Sequence, residues 1–213
     1  MPGQEPAPRP TCLLSFGEAL VTLGRPTHRE NEIVIGGTEL NVCCALARCN
    51  PKLKTNWASI LPAGTLGKAV EQNAKDAGVN TILNYHDYAE LGALFLLHGK
   101  PLYQRRNSAF NTFIDEQTFD WEEIIRQVAA DSGNPPWIHL TGITPVLSAG
   151  AQASWKSLVN VAIKHGRGIS LDLNHRPALS SFDHLWDIIA PYLQYFQVNF
   201  HDLLCWERVL SPF

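Results

Sequence analysis

Residues 36–50 read GGTELNVCCALARCN: a glycine pair, a threonine, then a run whose apolar positions recur at helical spacing. Adjacent glycines let a backbone come close to a ligand. The helix expected over 40–48 presents unpaired N–H groups at its start. Asn41 falls in that first turn, where its amide meets either a ligand or the local backbone, the second being an ordinary turn and cap. Cys43, Cys44 and Cys49 share the same helix, where a buried cysteine acts as a small hydrophobe.

Outward from this stretch, short apolar runs alternate with helical ones. Residues 12–16, 55–60, 137–140, 169–173 and 195–198 are expected strands, and 40–48, 66–77, 121–130, 151–165 and 185–193 expected helices. Thr65 and Thr118 stand where N-caps are wanted, and Gly78 and Gly166 where a left-handed C-terminal residue is. This alternation argues for an α/β fold with a parallel sheet covered on both faces. Two stretches interrupt it. Residues 32–35 and 91–103 read as strands without an intervening helix, and the second holds the hairpin signal His98-Gly99-Lys100-Pro101. A small β-lid with segments near 25–37 and 90–113 accounts for both. The proline-rich residues 1–10 are expected to be a disordered tail, and 11–213 one α/β domain.

The formal net charge of −3 over 213 residues gives no electrostatic reason for a nucleic acid or an anionic membrane as partner. Apolar runs such as 92–97 are too short to span a bilayer. The five cysteines are odd in number and form no CxxC or zinc spacing, so free thiols and a cytoplasmic location are expected. The histidines show no metal-ligand spacing; His139 reads as a hydrogen-bonded core residue. Ser148 lacks a GxSxG setting and reads as an N-cap, while Glu122 and Glu123 complement a helix dipole.

In an open parallel sheet, ligands bind beyond the carboxyl ends of the strands. Those ends carry Gly17-Glu18, Gly64-Thr65, Thr141-Gly142-Ile143, the run from Asp172 to Arg176, and Asn199 with Asp202. Glycines, amides, an arginine and carboxylates on one edge suit a hydroxylated, anionic small molecule.

Five ordered segments resemble the ribokinase-type (PfkB) carbohydrate kinases. They are FGEALVTL at 16–23, GGTELNVCCALARCN at 36–50, YQRRNSA at 103–109, IHLTGITPVLS at 138–148 and ISLDLNHR at 169–176. The last three are most similar to 2-keto-3-deoxygluconate kinases. The resemblance implies a ribokinase-like three-layer sandwich with a parallel central sheet and a small β-lid. It implies that Gly37 brings its backbone against a sugar and that Asn41 bonds a hydroxyl. Tyr103 and Arg105 would reach from the lid, Arg105 toward a sugar-acid carboxylate, and Arg176 would supply a second cation. A guanidinium fork matches a carboxylate bidentately, so the chemistry is coherent on its own terms. Open alternatives are ion pairs within the fold for both arginines and a packing role for Tyr103. The resemblance also implies a sugar or sugar-acid partner, ATP and magnesium as cofactors, and a homodimer formed through the lid.

The match has departures. Residues 61–67, LPAGTLG, lack the carboxylates usual before the second helix, and the family's Asn-x-x-Glu appears as Asn199-Phe200-His201-Asp202, which puts a metal role in doubt. No Gly-Ala-Gly-Asp, GxGxxG or GxxxxGK[ST] occurs, and so no catalytic aspartate is assigned. The expectation is a C-terminally truncated kinase fold with the sugar-binding part and without the nucleotide part. A sugar-acid kinase lineage leads; a noncatalytic sugar-binding or regulatory relative and a fructokinase- or ribokinase-type kinase are the alternatives.

Overall fold

The structure, a computed structural model, describes residues 11–23, 33–97 and 100–199, with side chains as far as Gln197. The expected tail, lid residues 25–32, the His98-Gly99 turn, Cys205 and Asp202 lie outside the described residues.

Among the described residues, ten strands and six helices follow one another. They are β1 (Cys12–Phe16), β2 (Leu20–Leu23), β3 (Val34–Gly36), α1 (Thr38–Cys49), β4 (Lys54–Pro62), α2 (Thr65–Asp76), β5 (Val79–His86), β6 (Gly92–Leu97), β7 (Lys100–Gln104), α3 (Ala109–Phe113), α4 (Trp121–Ser132), β8 (Trp137–Thr141), α5 (Ala149–Lys164), β9 (Ile169–Asp172), α6 (Phe182–Ile189) and β10 (Phe196–Asn199). The main sheet is wholly parallel in the order β10-β9-β8-β1-β4-β5. A second sheet, β3-β2-β6-β7, is the expected lid, and its β6–β7 pair is the expected antiparallel hairpin.

Alternate residues of each central strand enter different layers, because side chains in a strand point to opposite faces. Leu14 and Phe16 of β1 join Ile138, Leu140, Trp121, Trp155 and Leu185 beneath α4, α5 and α6. Leu13 and Trp57 face the other way, into Leu40, Cys43, Val70 and Ala74 of α1 and α2. Burial on both faces is what an all-parallel sheet requires, and the result is the three-layer sandwich.

Several details differ from the sequence reading. Thr65 is the first residue of α2 rather than its cap; Gly64 precedes it with no side-chain cap. Thr118 bonds Asp115, and the cap of α4 is Asp120, which accepts from Glu123 N. Strand β5 had no counterpart in the sequence reading. Helix α6 ends at Ile189 in a 3-10 segment, Ala190–Tyr195, so β10 begins at Phe196. Ser148 does cap α5, accepting from Ala151 N at 3.2 Å. Gly78 and Gly166 are left-handed as expected. Cys12, Cys43 and Cys44 are buried free thiols, whereas Cys49 is exposed. No described helix is long and apolar enough to cross a membrane.

Candidate functional site

From β1 the chain builds outward through β4 to β5, then returns to β1's other side and continues through β8, β9 and β10. The strand order therefore reverses between β1 and β8, where the connections leave a crevice at the carboxyl ends. Residues 17–19, leading from β1 into β2, and Thr141-Gly142 after β8 flank that crevice.

Helix α1 is driven into it. Glu39, in the first turn, is buried, and its Oε1 accepts from Thr141 Oγ1 at 2.6 Å and Thr144 Oγ1 at 2.7 Å. Burial without a bonded cation pushes this carboxyl above its usual range, against the pull of both hydroxyls and of Arg105. Gly37 precedes the helix at φ 140°, where a Cβ would stand 2.4 Å from the Glu18 carbonyl oxygen. A side chain is excluded there by the protein's own backbone as well as by conformation. From β9, Asn174 adopts φ 40° and donates through Nδ2 to Thr38 Oγ1 at 3.1 Å. Asp172 braces that turn by accepting from Asn174 N. Strand ends of β1, β8 and β9 thus converge on the start of α1.

The lid supplies the opposite wall. Arg105 follows β7, and its Nε donates to Glu18 Oε2 at 2.7 Å while Nη2 donates to the same oxygen. Glu18 is 3% exposed, and Ser108 Oγ donates to its Oε1. Burial pushes the Glu18 carboxyl up, with Arg105 and Ser108 opposing. Tyr103 is half-buried, its ring centroid 5.8 Å from Arg105 Cζ. Asn41 and Arg176 are exposed, and neither side chain is bonded within the described residues.

A cleft of about 750 Å³ runs between lid and main sheet, with Tyr103, Arg105 and Asn111 on one side and Ser148, Ala178 and Leu179 on the other. Arg176 opens the turn that carries these last two, its carbonyl accepting from Leu179 N at 2.8 Å. A larger cleft, about 940 Å³, lies beside residues 62–66 and 87–91; it is lined by Gly64 and Thr65 from a strand end but by none of the residues to which the resemblance assigns a role. The smaller one is lined by guanidinium, amide and hydroxyl groups, and volume alone does not outweigh such polar donors.

Of the residues predicted, Tyr103 and Arg105 line the smaller cleft; Arg176 does not, although Ala178 and Leu179 of its turn do, and Gly37 and Asn41 lie at the start of α1. Sequence reading named Glu18 and Thr141 only among the strand-end residues, without a role, and passed over Glu39, Thr144 and Ser108. A carboxylate inside the apolar run 16–23 was the available signal for Glu18. His139 is the expected core histidine, its Nδ1 3.3 Å from Ser170 Oγ, and burial lowers its pKa.

The family model described as pfkB family carbohydrate kinase matches residues 11–210. The chain belongs to the pfkB family. Within this pfkB chain, 182 residues are 30% identical to a 2-dehydro-3-deoxygalactonokinase of Haloferax volcanii, over 79% of this chain and 54% of that protein. A 2-dehydro-3-deoxygluconokinase of Bacillus subtilis is 31% identical over 152 residues, 68% of this chain and 44% of its own. The structure of the Thermotoga maritima 2-dehydro-3-deoxygluconokinase superposes with a TM-score of 0.74 at 27% identity, covering 87% of this chain and 58% of that one. The chain spans about half the length of the curated relatives it matches.

PfkB kinases use ATP. Among the described residues, no three His, Cys, Asp or Glu side chains come together to hold a metal. Asn199 contributes its backbone at the end of β10, and Asp202 lies outside the described residues. The described residues do not by themselves compose a site for ATP or magnesium.

Proposed function

We propose that this chain carries the sugar-binding part of a pfkB kinase whose acceptor is a 2-keto-3-deoxy sugar acid. The observation that carries the reading is the cleft of about 750 Å³ with the lid's Tyr103 and Arg105 on one side and the Arg176 turn beside the other. Arg105 on one wall and Arg176 at the root of the turn beside the other suit a ligand with a carboxylate at one end and hydroxyls along its length. Gly37 lets the helix start lie close to the sugar, and Asn41 offers a hydroxyl an amide that is unbonded among the described residues. The names of the curated relatives favour the same acceptor class. Transfer of the ATP γ-phosphate, with magnesium, is proposed for the family-length protein, with Asn199 and Asp202 on the nucleotide side. Pairing of two chains through the lid and a cytoplasmic location belong to the same proposal.

Calorimetric titration of the 213-residue chain with 2-keto-3-deoxygluconate tests the reading, with fructose for comparison. Saturable binding of the acid is expected, weakened about tenfold or more by Arg176→Ala, the loss of one charge-assisted contact. A folded chain that binds neither sugar would sink it.

A further inference from the structure

The contact between lid and main sheet is built more elaborately than a counter-ion pair needs. Glu18 occupies the Nε–Nη2 edge of Arg105, and Ser108 holds the other carboxylate oxygen. Gly92 leaves the necessary space, since a Cβ there would stand 2.7 Å from Glu18 Oε1. On the backbone side, Asn111 Nδ2 donates to the Arg105 carbonyl at 2.8 Å. The Tyr103 ring lies against the guanidinium. Edge, ring side and main chain of Arg105 are therefore fixed, and Nη1 bonds nothing among the described residues. What remains is the outer edge, Nη1 with the second N–H of Nη2, which is the fork a second carboxylate matches bidentately. Arg105 lines the cleft of about 750 Å³. A guanidinium already held in one orientation loses less freedom when it engages a ligand than one that must be ordered.

We propose that Glu18 is a positioning residue which, with Ser108, turns the outer edge of Arg105 into this cleft and so gives the site its preference for carboxylate-bearing over neutral sugars. The inference rests on the sugar-acid reading above and adds the residue that sets its selectivity. It separates orientation from charge. Gln at position 18 keeps an oxygen acceptor for Nε and Nη2 but removes the negative charge, whereas Ala removes both.

The test compares Glu18→Gln and Glu18→Ala in the 213-residue chain, titrated with 2-keto-3-deoxygluconate and with fructose. Glu18→Ala is expected to lose about tenfold or more in affinity for the acid with fructose unaffected, and Glu18→Gln to retain the wild-type preference. Equal losses for the two variants, equal losses for the two sugars, or an Ala variant that binds the acid normally would each overturn the proposal. Because Glu18→Ala strands a buried cation at a cost to folding, nitrogen-15 NMR of the Arg105 Nε–H in the wild-type chain is a second measurement. A slowly exchanging signal that persists when the acid is added supports a guanidinium held by Glu18. Fast exchange without ligand, or displacement of Glu18 by the acid, overturns it. A wild-type chain that binds neither sugar defeats the sugar-acid reading, while the Arg105 signal still decides whether Glu18 positions it.

Discussion

Glu39 shows how much a single carboxylate depends on what the rest of the chain brings to it. A glutamate in a first helical turn ordinarily complements the helix dipole in solvent. Here the turn is pressed into the sheet, and two threonine hydroxyls from the β8 end replace water. The folded state holds the carboxyl above its ordinary value of 4.5, so it binds its proton more tightly folded than unfolded. The stabilisation is fully present below that value and is lost as pH rises through the raised pKa. Glu39→Gln is therefore expected to gain stability relative to wild type as pH increases from 4.5 to neutrality. Urea midpoints of both chains across that interval provide the check; a difference that does not change with pH would refute it.

At the level of elements, the helices were legible from spacing because each buries one stripe, and their ends were less so. Thr65 and Thr118 are chemically suitable caps, but cap choice depends on where the chain turns, and Gly64 and Asp120 stand at the turns. Strand β5 escaped notice because Asn80, Thr81, Asn84 and His86 break its apolar pattern, as an edge strand permits. The crevice between β1 and β8 could not be read from either strand, since it arises from the order in which they are laid down. The start of α1 gives the sharpest element-scale expectation. Gly37→Ala places a methyl against the Glu18 carbonyl at a positive φ, and a loss of about 1–3 kcal/mol is expected in equilibrium denaturation. A loss within a few tenths of a kcal/mol would mean the turn relaxes freely.

For the whole molecule, the open question is what covers the lid. Leu97 is 55% exposed and Leu102 53% on neighbouring lid strands, beside partly buried Phe95. If the lids of two chains pair, sedimentation velocity should show a concentration-dependent dimer that Leu102→Glu returns to monomer. A monomer at all concentrations would leave that apolar face to another role. The general plan was readable in the sequence, because alternation of strand and helix and five ordered segments are properties of the chain. The charged contacts were not, because Glu18 and Arg105 are 87 positions apart and meet only when the lid and the main sheet come together.

That meeting point lies in the three-residue link, 17–19, where β1 passes into β2. One continuous ribbon therefore runs from the centre of the main sheet into the lid, and its bend is pinned by a buried ion pair at the bend itself. Removing either partner of such a pair costs about 3–5 kcal/mol, because the other charge is then left buried and unpaired. The root of the lid is thus tied to the main sheet by charge as well as by chain.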